Sequence, residues 1–221
     1  MFRYETQVKK FLLKWYSVNS RILPWRKKAN KTLANPYFVL VSEYMLQQTT
    51  VNTVKNKFND FVLKWPSVNK LARITEPEIL KFWSGLGYYS RARNLLKTAK
   101  IINKSFKNKI PQTYDELIQL PGIGDYTAKA ILGIGFNKSV MPLDANIERI
   151  LVRLHAIDQP IIKVKNKLKD LANKFISDKY SSNLIQSFMD YGSAICLPRN
   201  PRCDICGMNK FCQSYKKNLQ L

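Results

Sequence analysis

The stretch from Leu120 to Leu154, LPGIGDYTAKAILGIGFNKSVMPLDANIERILVRL, constrains the fold more than any other part of this 221-residue chain. Just upstream, Thr113 and Glu116 have the spacing of a capping box and open a short helix that ends near Leu120. Leu120-Pro121-Gly122-Ile123-Gly124 is a tight turn, with glycines at 122 and 124 to let the backbone bend sharply and approach another group. Beyond it, Ala128, Ile131, Leu132 and Phe136 recur at helical spacing. The stretch predicts helix, hairpin, helix. The second helix begins with outward-pointing N–H groups, a site suited to a phosphate oxygen. Asp144 opens the next helix, where the positive end of the dipole favours an ionised carboxylate. An ordinary turn between core helices and a plain capping Asp would account for the same residues.

The remainder reads as helix. Val8, Phe11, Leu12 and Trp15 mark a first amphipathic segment, and Asn35-Pro36 opens a second that carries Val39, Leu40, Met45 and Leu46. Val51, Val54, Phe58 and Phe61 mark a third. Thr75 and Glu78 form another capping box, and a long segment runs from Tyr89 to about Phe106. Val39 to Val41 could be a strand, but its neighbours offer no partner. The expected fold class is all-α. The eight glycines sit within or beside the stretches that carry these motifs, a pattern that fits turns reserved for close approach to a ligand.

Lysine and arginine number 37 against 15 acidic residues, a net charge of +22. That excess makes a polyanion the expected partner, with nucleic acid the default and a membrane surface the competitor. No apolar run is long enough to span a bilayer and no secretory signal opens the chain, so a cytoplasmic protein is expected, associated with the nucleoid and without a membrane partner. All four cysteines lie between Cys196 and Cys212 with the spacing C-x6-C-x2-C-x5-C. Disulfides are out of place in such a compartment, so the thiols point to a metal centre, either tetrahedral zinc or an iron–sulfur cluster.

Two further stretches carry chemistry. In Ser42-Glu43-Tyr44-Met45-Leu46-Gln47-Gln48-Thr49-Thr50, Glu43 sits within an otherwise apolar helix. Burial there raises a carboxyl's affinity for its proton and suits it to donate one near neutral pH, unless the residue is an ordinary Glu on a half-buried helix. Gly85-Leu86-Gly87-Tyr88-Tyr89-Ser90-Arg91-Ala92-Arg93 sets aromatics beside flexible glycines and two arginines. Such a loop suits a wedge whose ring enters a base stack while Arg91 neutralises phosphate, or else a helix-capping turn with core tyrosines.

Together these motifs resemble the MutY-type adenine DNA glycosylases of the endonuclease III superfamily, in order and over almost the whole chain. The resemblance implies a two-lobed, endonuclease III-like fold. A six-helix barrel lobe is expected over 24–138, and a cluster lobe from 1–23 with 139–221, its cluster loop at 196–212. It implies a [4Fe-4S] cluster on Cys196, Cys203, Cys206 and Cys212, which holds Arg199, Arg202 and Lys210 toward the DNA backbone. It assigns Glu43 as general acid, and Asp144, held by Asn146, as the carboxylate at the sugar. Tyr126 stands where bifunctional relatives carry a lysine nucleophile, so the enzyme should be monofunctional; Lys129 lies three positions off. Tyr88 is the intercalating ring, Gln48 fills the vacated space, and Gly122 and Gly124 bind the backbone. In Arg21-Ile22-Leu23-Pro24-Trp25-Arg26 the resemblance places Arg21 and Trp25 at the base pocket, with Asp190 as the acidic group that reads adenine. The sequence departs from the family pattern at the long Lys27–Asn35 stretch, at Ala145 between Asp144 and Asn146, and at Asp190, shorter than the usual Glu. The chain stops at Leu221, which leaves no room for the second domain that bacterial members use to read 8-oxoguanine, so discrimination of the opposite base should be shallow. The expected activity is hydrolytic release of adenine mispaired with guanine or 8-oxoguanine by a monomer on double-stranded DNA. A thymine or uracil mismatch glycosylase of the same superfamily and a non-catalytic DNA-binding module are the alternatives.

Overall fold

The computed structural model describes residues 4–26 and 33–219. Most of the Lys27–Asn35 stretch therefore lies outside the described residues. Among the described residues the chain is helical with no strand, and it divides into two compact units. One unit joins the chain up to Arg21 with the part from Asn137 onward; the other is drawn from the chain between Ile22 and Phe136. No described helix is long and apolar enough to cross a membrane.

The unit between Ile22 and Phe136 is built around α2 (Pro36–Leu46). Asn35 caps it by accepting from Tyr37 N at 2.9 Å, with Pro36 at the first helical position, where a missing N–H costs nothing. Eight of its eleven residues are buried, so it is a central helix rather than an amphipathic surface one. The Val39–Val41 run thus belongs to a helix, where burial on all sides takes the place of strand pairing. α3 (Val51–Lys64) and α6 (Ser90–Ser105) pack on it, and α4 (Val68–Ala72) and α5 (Glu76–Trp83) pack on α6 in turn. Phe61, Trp65 and Phe82 meet edge to face at 4.8–5.4 Å between ring centroids, and Tyr37 Oη donates to Trp65 O at 2.7 Å. Fully burying side chains such as Phe58, Phe61 and Leu71 stabilises by roughly 1.5–3 kcal/mol each.

The unit ends with α7 (Tyr114–Ile118), the hairpin, and α8 (Asp125–Ala130), which runs into a π-helical turn at Ile131–Gly135. The sequence spacing predicts a plain helix there. A Cβ on Gly135 would come 3.2 Å from Pro36 Cα, so the widened turn sits where α2 begins and needs the missing side chain.

In the other unit, α1 (Tyr4–Asn19) buries Val8, Leu12 and Tyr16 against α11 (Ser181–Ala194), and α9 (Ala145–Leu154) packs between α11 and α10 (Lys165–Asn173). Tyr191 of α11 is fully buried under Phe11 and Trp15, at 5.6 and 5.0 Å between centroids. A short α12 (Gln213–Lys216) follows the last cysteine.

Candidate nucleic-acid and catalytic site

The hairpin is held from behind. Tyr44 Oη donates to Pro121 O, Thr98 Oγ1 donates to the same carbonyl at 3.2 Å, and Gln47 Nε2 donates to Gly122 O at 3.2 Å. Burial pushes the Tyr44 phenol up, so it stays a donor. Gly122 has a left-handed backbone (φ +82°), and a Cβ there would come 2.9 Å from Asn94 Nδ2 and 3.1 Å from Tyr44 Cε1. Both facts require glycine. Gly124 differs: its backbone is extended and open space surrounds it, so it starts α8 without close approach. At the top of α8, Asp125 pairs with Lys129 at 3.0 Å and accepts from Tyr114 Oη at 3.0 Å, which ties the Lys129 amine down one turn beyond the half-buried Tyr126.

Glu43 is 7% exposed within α2, between the buried Ser42 and Tyr44. The chain leaves α2 through Gln48, which is exposed with φ +57°, and Tyr88 after α5 is 59% exposed with φ +48°. Both are side chains held outward on strained backbone. Arg91 corrects the sequence-based expectation. It does not face phosphate: it is 6% exposed and turned inward onto backbone carbonyls, because the ends of α2 and α5 present unpaired acceptors there. Arg93, the next arginine on α6, is spoken for by Glu76 at 2.7 Å. Trp25 is buried with its ring edge to face with Phe58 at 5.3 Å.

In the other unit, Asp144 is the N-cap of α9. Its Oδ1 accepts from Ile147 N at 2.7 Å and its Oδ2 from Asn146 Nδ2 at 2.9 Å. Asn146 is held in turn: Arg149 Nη2 donates to Asn146 Oδ1 at 2.8 Å and to Gly192 O at 2.7 Å, while Arg149 Nε donates to Cys196 O at 2.7 Å. A continuous hydrogen-bonded chain thus runs from the Asp144 carboxylate to the backbone of the first cysteine. Burial raises the Glu148 pKa, and the Asp144 charge nearby adds to the shift.

Asp190 departs from its expected role. Its fully buried carboxylate accepts from Arg21 N at 2.9 Å and Arg21 Nε at 2.6 Å, so both oxygens hold Arg21 rather than waiting for a base. One helical turn earlier, Gln186 supplies the feature that sequence reasoning missed. Its Nε2 donates to Ser182 O at 3.0 Å, which fixes the amide orientation, since a carbonyl can only accept. Its Oε1 is buried with no hydrogen-bond partner. Its helix face also carries Ser182 and Asp190, so the sequence alone does not single it out.

The four cysteines and Met208 line one cavity of about 540 Å3. Among the described residues no three His, Cys, Asp or Glu side chains converge closely enough for a single metal ion. Four thiols set round a cavity, with no nitrogen or oxygen donor among them, are the set an iron–sulfur cluster takes. The surroundings fit thiolates: Arg153 Nη1 donates to Cys196 Sγ at 3.4 Å and Tyr191 Oη to Cys206 Sγ at 3.2 Å. Burial and the neighbouring sulfurs push the Cys203 thiol up, so a bound cationic centre is what lets the set ionise together. Gly207, between the ligands, lies where a Cβ would come 2.2 Å from Phe11 Cε2, which seats the loop directly on α1. Arg199, Arg202 and Lys210 are all exposed on this loop.

A helix-hairpin-helix, an aspartate at a helix start and a four-cysteine loop in this order define a class. The chain belongs to the HhH-GPD superfamily of base excision DNA repair proteins, whose family model matches residues 41–174, and the iron–sulfur binding domain of endonuclease III matches residues 196–212. A [4Fe-4S] cluster rather than zinc is thus the cofactor this loop implies. Among curated relatives, the adenine DNA glycosylase of Buchnera aphidicola subsp. Baizongia pistaciae (strain Bp) is 40% identical over 94% of this chain and 58% of its own length. That of Homo sapiens is 36% identical over 98% of this chain and 41% of its own. The chain thus spans about half the length of the curated relatives it matches. Among solved structures, a thermostable thymine-DNA glycosylase superposes with a TM-score of 0.86 at 27% identity, covering 96% of this chain and 97% of the other. A trapped endonuclease III–DNA covalent intermediate superposes with a TM-score of 0.77 at 20% identity over the whole of both chains, a likeness of fold. The all-α fold and the family read from the motifs are both borne out.

Proposed function

We propose that this chain is a monofunctional DNA glycosylase that hydrolyses the N-glycosidic bond of adenine mispaired with guanine or 8-oxoguanine in double-stranded DNA. The observation that carries the reading is Glu43, a carboxyl buried in the apolar helix α2 of a chain related throughout to adenine glycosylases. Its use is to protonate N7 of an extruded adenine. The C1′–N9 bond then breaks with its electron pair on the base, and Asp144, held in place by Ile147 N–H and Asn146, stabilises the positive charge left on the sugar. Water adds at C1′, and its proton returns the carboxyl pair to the starting state. Tyr126 offers no amine to the sugar, so the strand stays intact. The net charge of +22 supplies the non-specific affinity.

A second reading, release of thymine from mispairs, is favoured by the near end-to-end match to the thymine-DNA glycosylase structure. Duplexes that carry A opposite 8-oxoguanine, A opposite G and T opposite G separate the two. Adenine release by wild type, and its loss by about 10²–10⁴-fold in Glu43→Gln with binding retained, is the expected result. Thymine release alone selects the second reading, and full turnover by the variant removes Glu43 from catalysis.

A further inference from the structure

Arg91 has seven hydrogen-bond acceptors and none of them is a carboxylate. Its Nη1 donates to the carbonyls of Tyr44, Met45 (2.7 Å) and Gln47, the last acceptors of α2 and its cap. Its Nη2 donates to Thr49 Oγ1 at 2.9 Å and, on the other side, to Leu86 O at 2.8 Å and Gly87 O at 3.0 Å. Nε completes the set with Tyr88 O at 3.4 Å. One planar fork therefore closes two loops onto each other, and the Trp83 and Tyr88 rings lie 5.7 and 5.4 Å from its central carbon. The loops are also joined directly, Thr49 Oγ1 to Leu86 O at 3.3 Å. The residues these loops expose, Gln48 and Tyr88, are both in the left-handed region that L side chains avoid. Such a backbone persists only where its surroundings over-determine it, and a buried cation is retained only where its donors are all used.

We infer that Arg91 is a positioning residue that locks the loop of Gln48 to the loop of Tyr88, so that both side chains are set for insertion into DNA before DNA is bound. The insertion half rests on the glycosylase reading above; the lock rests on contacts within the free protein. Preset side chains spare the ordering that a mobile wedge would undergo on binding. The cation also sits at the C-terminal end of α2, where helix carbonyls take the place of a counter-ion.

The test compares wild type with Arg91→Lys, which keeps the charge but loses the fork, and with Thr49→Val, which keeps Arg91 and removes its hydroxyl acceptor. Hydrogen exchange in the free, cluster-loaded protein reads the lock. Fluorescence of 2-aminopurine beside the mispair reads unstacking, and titrations with undamaged duplex at several salt concentrations read phosphate contact. In Arg91→Lys, exchange at 47–49 and at 85–89 should quicken by at least about tenfold, and more modestly in Thr49→Val. Unstacking should fall several-fold, while undamaged-duplex affinity and its salt slope stay at the wild-type value. In a Gln48→Ala, Tyr88→Ala background, Arg91→Lys should change unstacking no further. Unchanged exchange in either loop overturns the lock. A salt slope lowered by about one in Arg91→Lys does so as well, because it returns Arg91 to a phosphate. Should wild type unstack no probe duplex, the insertion half falls with the reading it rests on, and exchange alone decides the lock.

Discussion

Gly192→Ala tests how closely the Asp144 support is fitted. A Cβ at 192 would lie 2.6 Å from Asn146 Cβ, 3.1 Å from Asn146 Oδ1 and 3.2 Å from Asn146 Cα. Ordinary contact begins at 3.4 Å, so the two helices must part by several tenths of an ångström or Asn146 must swing away. Neither is cheap, because two of the three atoms are backbone or the root of a side chain, and Gly192 O is itself a partner of Arg149. Overpacking of this kind costs about 1–3 kcal/mol. At about 2–4 °C per kcal/mol for a chain of this size, Tm should drop by roughly 2–12 °C. The larger effect is expected in chemistry. With Asn146 displaced, Asp144 keeps Ile147 N but loses its Nδ2 donor, and a misplacement near 1 Å can lower a rate by about a hundredfold. Thermal melts and single-turnover base release on the A·8-oxoguanine duplex measure the two effects. A variant with wild-type Tm and wild-type rate would show that the α9–α11 approach has slack and that Asn146 is not held by it.

Protein purified without oxygen should be brown and carry iron and sulfide; a colourless, active, stoichiometric zinc protein would refute the cluster. Since the Cys203, Cys206 and Cys212 thiols are all pushed up, by burial first, they bind protons across the neutral range, so cluster assembly should become more favourable as pH rises, measured by iron uptake against pH. Tyr126→Lys should gain strand cleavage and borohydride trapping that wild type lacks; efficient trapping of wild type would point to Lys129 or another amine. Arg21→Ala strips one donor from the fully buried Asp190 and should destabilise by about 1–3 kcal/mol, with part of the loss recovered in a second change, Asp190→Asn.

The sequence was legible where a side chain acts on its own backbone. Thr75 forms the capping box that Glu78 predicts, Thr113 caps α7 by accepting from Glu116 N, and Asp144 caps α9, because each of those contacts spans three residues. The cysteine ligands are legible for the same reason of spacing. Arg91 was not, because its acceptors lie up to 47 residues back in the chain and only the packing of α2 against α6 turns it inward. The π-helical turn at Ile131–Gly135 has no local signature either; it lies where Gly135 meets Pro36, about 100 residues back in the chain. On α11, Gln186 and Asp190 are one turn apart and equally polar on paper. Which of them keeps an unpartnered atom is decided by Arg21, 169 residues away from Asp190.

The seat of the cluster loop on α1 has a consequence for synthesis. α1 leaves the ribosome well ahead of α11, yet its apolar face of Val8, Leu12 and Tyr16 is covered by α11, and Phe11 by the loop around Gly207. About 160 residues separate α1 from α11, so at about 5–20 residues per second the helix waits roughly ten to thirty seconds for its cover. During that interval the residues between Ile22 and Phe136 are already out and contiguous, with a core of their own. The nascent chain thus carries one finished body and one exposed greasy helix, and the helix is the part a holdase chaperone would find.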